Sequence, residues 1–337
     1  MAYGTNEAKP GGPGGDSRPV DTGPKAGLFS EATRQRIKLV LRKWREVWKI
    51  FRSNRIGILG VLILLVFVVM AVFSPQIMAV LSFLAGWDSV YGPFASAGDG
   101  VFLPPSDQHW LGTDQLGRDL LSRTIYGARV SMLIGLVASA VSMGLGTLIG
   151  LMSGFWGGWR DEVLMRLTDV FLVIPWLVLM ILLASLLPGG QSVGKVVFVI
   201  GITGWSGTAR IVRAQVLSLK ERTFITRAQA IGSTDYHIVR RHIFPNVFPL
   251  VFAESILTVA ISILSESTLS YINLGPSPMK VVTWGNILYD AEAYGAMTQG
   301  LYWWIVMPGL FIVFVVLGFT FIGYALDEIF NPKLRRR

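Results

Sequence analysis

Cysteine is absent from all 337 residues, which excludes disulfides, thiolate metal sites and a cysteine nucleophile. Histidine is nearly absent. His109, His237 and His242 are too few and too scattered to build a histidine metal cage, so neither a metal site nor a catalytic constellation is expected. Charge is scarce as well: 15% of residues are Asp, Glu, Lys or Arg, where soluble domains carry about a quarter. Apolar residues make up 52% and fall in long runs, which indicates an integral membrane protein. The first run comes too late and is too long for a secretory signal. The net charge of +9 is not the footprint of a nucleic-acid binder, because the Lys and Arg residues stand beside the apolar runs. There they set topology and touch anionic membrane lipid.

Two patterns approach chemistry and fail. Gly189-Gly-Gln-Ser-Val-Gly194-Lys195 nearly spells a phosphate-binding loop, but Val196 stands where a Ser or Thr would hold magnesium, and no strand precedes it. Gly204-Trp-Ser206-Gly-Thr208 lacks the last glycine of a serine-hydrolase elbow. No ATP site and no cofactor are expected in this chain.

Taken in order, residues 1–33 are rich in Gly, Pro and small polar residues and read as a disordered cytoplasmic tail. Residues 34–55 are basic, with Trp44, Trp48, Ile50 and Phe51 interleaved, and read as an amphipathic helix on the inner membrane face. A membrane domain follows over 56–337, with six transmembrane helices expected near 56–73, 132–152, 163–187, 196–217, 250–272 and 301–326. The fold class is all-α, with both termini cytoplasmic by the distribution of basic residues. Ser74 to about Thr113 reads as an outer loop, and Gly146, Gly150 and Gly154 as a ridge that lets helix backbones approach. Three acids fall inside spans: Asp169, Glu254 and Glu266. Two readings stay open for them, proton carriers of a secondary transporter or structural acids, Asp169 paired with an arginine and Glu266 buried and hydrogen-bonded. A secondary transporter is the alternative function, although the internal repeats it predicts are not seen.

Two polar stretches stand out. Before the second span runs His109-Trp-Leu-Gly112-Thr113-Asp114-Gln-Leu-Gly117-Arg118-Asp119. Thr113 and Asp114 can cap an interfacial helix whose apolar side carries Leu116, Leu120, Leu121 and Ile125. Asp114, Arg118 and Asp119 read either as a ligand-binding group or as structural charges. Between the fourth and fifth spans lies the second stretch, 218–249. A short helix with Ala228 and Ala230 on one side ends at Gly232, and Ser233, Thr234 and Asp235 cap the next. Pro245 and Pro249 then break the chain before it re-enters the membrane. The expected product is a water-facing helix–turn–helix knob suited to a groove on a soluble partner.

The separation of Gly232 and Pro245, closed by His242-Ile243-Phe244-Pro245, resembles the coupling loop of permease subunits of binding-protein-dependent ABC importers. Thr226-Arg227-Ala228 stands where that motif usually has Glu-Ala-Ala. The Gly112–Asp119 segment resembles one of the two permease subunits of dipeptide and oligopeptide importers. The resemblance implies the type I importer permease fold and half of a peptide pore in a prokaryotic inner membrane. It implies partners too: a homologous second permease, two cytoplasmic ATPases that bind ATP and Mg, and an extracytoplasmic substrate-binding protein. It further implies ATPase docking by Thr226, Arg227, Ala228, Ala230, Gly232, Ser233 and Pro245. Cargo stays open among dipeptides, longer peptides, nickel and sugars.

Overall fold

In lipid no water is available to the backbone, so a chain this apolar must satisfy its polar groups internally, and it does so with helices. The computed structural model describes Gly4 and residues 49–87, 91–96, 98 and 100–330. The chain divides into Met1–Trp48 and Lys49–Arg337, and the helices described below lie in the second. The expected tail at 1–33, most of the basic helix at 34–55 and the last residues of the basic C-terminus lie outside the described residues. Residues 49–53 are helical, and Asn54 caps the first long helix by accepting from the Gly57 N–H.

That helix, α1, spans Arg55–Ala85. It is followed by α2 (Leu120–Trp156), α3 (Gly158–Val173), α4 (Trp176–Leu186), α5 (Val193–Thr203) and α6 (Trp205–Lys220). Next come α7 (Thr223–Ala230) and α8 (Asp235–Ile238), a π turn at Val239–Ile243, then α9 (Phe244–Tyr271), α10 (Trp284–Ala293) and α11 (Tyr302–Phe330). Among the described residues the only extended pairings are two isolated bridges, Ser96 with Arg118 and Thr113 with Asp119. Five helices are long and apolar enough to cross a membrane, with α5 and α6 running on as one over Val193–Lys220 and α8 continuing through the π turn into α9, and six spans result if the bent pair α3–α4 counts as one.

Several expectations are corrected in their details. The first helix does not end at residue 73. It kinks there, with Phe73 at φ −108° and ψ 23° ahead of Pro75, and continues to Ala85, so the outer loop starts later. No separate interfacial helix is capped by Thr113 and Asp114. Asp119 is the cap, accepting from the Ser122 N–H, and α2 runs unbroken from Leu120 through the second span. The third span is not straight: α3 and α4 meet at 94°. Pro175 is the cause, because it forbids the helical conformation to Ile174, which sits at φ −72° and ψ 126°. Pro245 and Pro249 do not break the chain. Pro245 stands in the first turn of α9, where its missing N–H costs least, and the wide π turn before it passes the helix through. The Asn246 side chain donates to the His242 carbonyl at 2.6 Å, satisfying an acceptor in that turn.

The glycine ridge packs as its spacing predicts. A Cβ at Gly146 would meet the Trp205 carbonyl at 2.6 Å, one at Gly150 the Ala209 carbonyl at 2.6 Å, and one at Gly154 the Val216 side chain at 2.8 Å. Side-chain-free contact along α2 thus holds α6 at backbone distance. A second core gathers around the fully buried Trp284 and Trp304, where α10 wedges among α2, α9 and α11. Phe67 meets Trp284 edge-on there, at 5.7 Å between ring centroids.

Candidate functional site

The segment before α2 folds as a tight hairpin because its two glycines take left-handed backbone, Gly112 at φ 73° and Gly117 at φ 65°. This turns Asp114 back over its own chain. Its Oδ1 accepts from the N–H groups of Leu116 and Arg118, each at 2.9 Å. Its Oδ2 accepts from Arg118 Nε at 2.6 Å and Arg123 Nη1 at 2.5 Å. The same two arginines reach Asp290 on α10, at 3.3 and 3.0 Å. Asp119 caps α2 with one oxygen and meets His109 Nδ1 at 3.0 Å with the other. Burial pushes the Asp119 carboxyl above its ordinary value, opposed by the Ser122 N–H and His109. Thr113 takes the Leu103 N–H and donates to the Gly100 carbonyl. All these charges are buried, and the carboxylates and guanidiniums meet each other, so the group is a clasp joining the hairpin to α10.

Gly112, Thr113, Asp114, Gly117, Arg118 and Asp119 are therefore brought together, and Arg123 and Asp290 complete them. Sequence reasoning missed Asp290. The available signal was Arg118 and Arg123 at the start of an apolar span, where buried guanidiniums call for matching acids.

The three intramembrane acids are not brought together. Asp169 on α3 accepts from Arg210 on α6 at 2.6 Å. A second rung joins the same helices: Arg213 donates through both Nε and Nη2 to Asp161, at 2.6 Å each, and the Ser153 hydroxyl also meets Asp161. The pairing of Asp161 with Arg213 escaped the sequence reading. Glu266 is fully buried and ringed by hydroxyls, Ser270 at 2.7 Å, Ser131 at 3.0 Å and Ser267 at 3.5 Å. Ser131 in turn receives the Trp284 N–H, so this carboxyl knits α2, α9 and α10. Glu254 is half-buried and lines a cleft of about 370 Å³. The near phosphate loop is used for capping instead, with Ser192 Oγ accepting from the Lys195 N–H.

The knob between α6 and α9 has two sides. Ile225 and Ala228 of α7 are buried with Ile238, Ile243 and Val247 against Leu151, Phe155, Val212 and Val216. Gly232 at φ 80° closes the turn, and Thr234 caps α8 by accepting from the His237 N–H. The reading that put Ala228 and Ala230 on one side is corrected. Positions two apart face opposite ways on a helix, and Ala228 is buried while Ala230 is exposed. Thr226, Arg227 and Gly232 are exposed, Ser233 is partly so, and Pro245 is exposed at the start of α9. Three larger side chains that sequence reasoning passed over stand out beside them: Ile231 at 83%, Tyr236 at 69% and Phe224 at 40% exposure. Groups of His, Asp and Glu able to hold a metal do not occur among the described residues.

Residues 146–336 match the family of binding-protein-dependent transport system inner membrane components. Residues 43–105 match the N-terminal transmembrane domain of oligopeptide transport permease C. The chain is 35% identical over 301 residues to the oligopeptide transport system permease protein OppC of Bacillus subtilis, covering 89% of this chain and 92% of that one. It is 33% identical to the dipeptide transport system permease protein DppC of the same organism, covering 87% and 86%. It is 31% identical to the glutathione transport system permease protein GsiD of Pectobacterium atrosepticum, covering 89% and 94%. The chain belongs to the binding-protein-dependent transport system inner membrane components, as a multi-pass permease subunit of an ABC importer.

Proposed function

We propose that this chain forms half of a peptide-conducting pore and takes its drive from cytoplasmic ATPases seated on the knob at 223–237. The relatives named for oligopeptides, dipeptides and glutathione all carry cargo with peptide bonds, and that shared chemistry supports peptides over nickel or sugars. A homologous second permease would complete the pore, two ATPases would bind ATP and Mg in place of any site on this chain, and an extracytoplasmic protein would deliver the cargo. Both termini would lie with the knob on the cytoplasmic side.

One observation carries the docking assignment. The knob buries an apolar underside in its own chain yet leaves Ile231, Tyr236 and Phe224 in water. A rigid base with an apolar tip suits a groove on a soluble partner. The seat must bind more tightly in one state of the transporter than in the other, or ATP would drive nothing. The test is purification of the tagged permease in mild detergent, with Gly232→Val alongside. The expected result is co-purification of a sister permease and ATPases, with ATP hydrolysis stimulated by loaded binding protein in the wild type and lost in the variant. Full stimulation in Gly232→Val would refute the assignment.

A further inference from the structure

The cleft beside Glu254 is not used by the docking assignment. It lies at the bend between α3 and α4, at Ile174–Pro175, and beside Gly204, where α5 and α6 run on as one helix. Broken helices at membrane depth are tolerated where they line a cavity, because their freed backbone groups then find partners. The volume of about 370 Å³ suits a small ligand or a segment of a longer one. The lining mixes apolar side chains such as Phe171, Ile200 and Ile261 with the hydroxyls of Thr203, Thr258 and Ser262.

Two groups in it have no side-chain partner among the described residues. The Ser142 hydroxyl is buried and without a hydrogen-bond partner. It faces the α5–α6 junction, since a Cβ at Gly204 would come within 2.8 Å of its oxygen. Glu254 is the only ionisable residue in the lining, and its carboxylate makes no ion pair among the described residues. The neighbouring charge that acts on it, Asp327 on α11, has the same sign. Asp169 and Asp161 differ, each being met by its own arginine. A carboxylate at membrane depth without a cation is a site waiting for one.

Resting on the peptide reading above, we infer that Glu254 is a specificity residue of the cargo path and receives the cationic amino terminus of the passing peptide. An ammonium group leaving water needs an opposite charge to offset its lost hydration. The cleft supplies one, and the Ser142 hydroxyl is free to meet a cargo backbone group beside it.

The experiment uses the whole transporter in proteoliposomes, with binding protein loaded to saturation so that delivery is equal. Uptake of a short peptide with a free amino terminus is compared with that of its N-acetylated twin. The wild type moves the free amine about tenfold faster, the scale of one charge-assisted hydrogen bond. Glu254→Gln removes that advantage by slowing the free amine alone, and Glu254→Asp restores much of it. Equal discrimination by wild type and Glu254→Gln overturns the inference. So does equal slowing of both peptides, which would mark Glu254 as structural. Failure of the wild type to move either peptide overturns the peptide reading itself and this inference with it.

Discussion

Removing the Asp290 carboxylate would leave Arg118 and Arg123 buried with only Asp114 between them. Breaking one side of a buried charge cluster costs about 3–5 kcal/mol, because the remaining charges lose a partner they cannot replace with water. Asp290→Ala is therefore expected to lower the melting temperature of the purified permease markedly, whereas Asp169→Asn, at a half-exposed pair, should move it little. Thermal unfolding of both variants in one detergent checks the contrast. Gly232 is a different kind of residue. No atom crowds its missing side chain, so its importance is the left-handed backbone alone. A β-branched residue there is strained by about 1–3 kcal/mol. Gly232→Val is expected to reshape the turn while leaving the spans folded, with a melting temperature close to wild type.

At the scale of elements, α2 and α6 are joined backbone to backbone, and the contact has no room to spare. Gly150→Leu drives a side chain into the Ala209 carbonyl and is expected to destabilise by about 1–3 kcal/mol or more, read as loss of folded protein after detergent extraction. This contact was legible from the sequence, because its signal is local: three glycines one helical turn apart. The hydroxyl-ringed burial of Glu266 was legible as one of its two readings for the same reason, polar neighbours close by on the same helix. The clasp was legible only in part. Asp290 lies far along the chain from Arg118, and no periodicity connects them. The bend in the third span escaped because a proline announces a break without stating its angle. The continuation of the helix through Pro245 escaped because a π turn leaves no pattern in residue types. The opposite exposure of Ala228 and Ala230 was readable from helical geometry, and the pairing overlooked it.

Across the described residues, the buried ion pairs gather where the hairpin before α2 meets α10, and the exposed apolar tip stands on the knob, with lipid-scale apolar helices between them. That arrangement separates holding from driving: the clasp and the Trp284 core fix one end, and the knob offers the other to a partner. The proposed docking is the central claim, and the absence of cysteine makes it directly measurable. A single cysteine at Ile231, on the knob tip, and another at Phe83, exposed near the far end of α1, would each carry a photo-activated cross-linker in native membranes. A cross-linked product with an ATPase is expected from Ile231→Cys and none from Phe83→Cys. No ATPase product from Ile231→Cys, or an equal one from Phe83→Cys, would contradict the proposed docking.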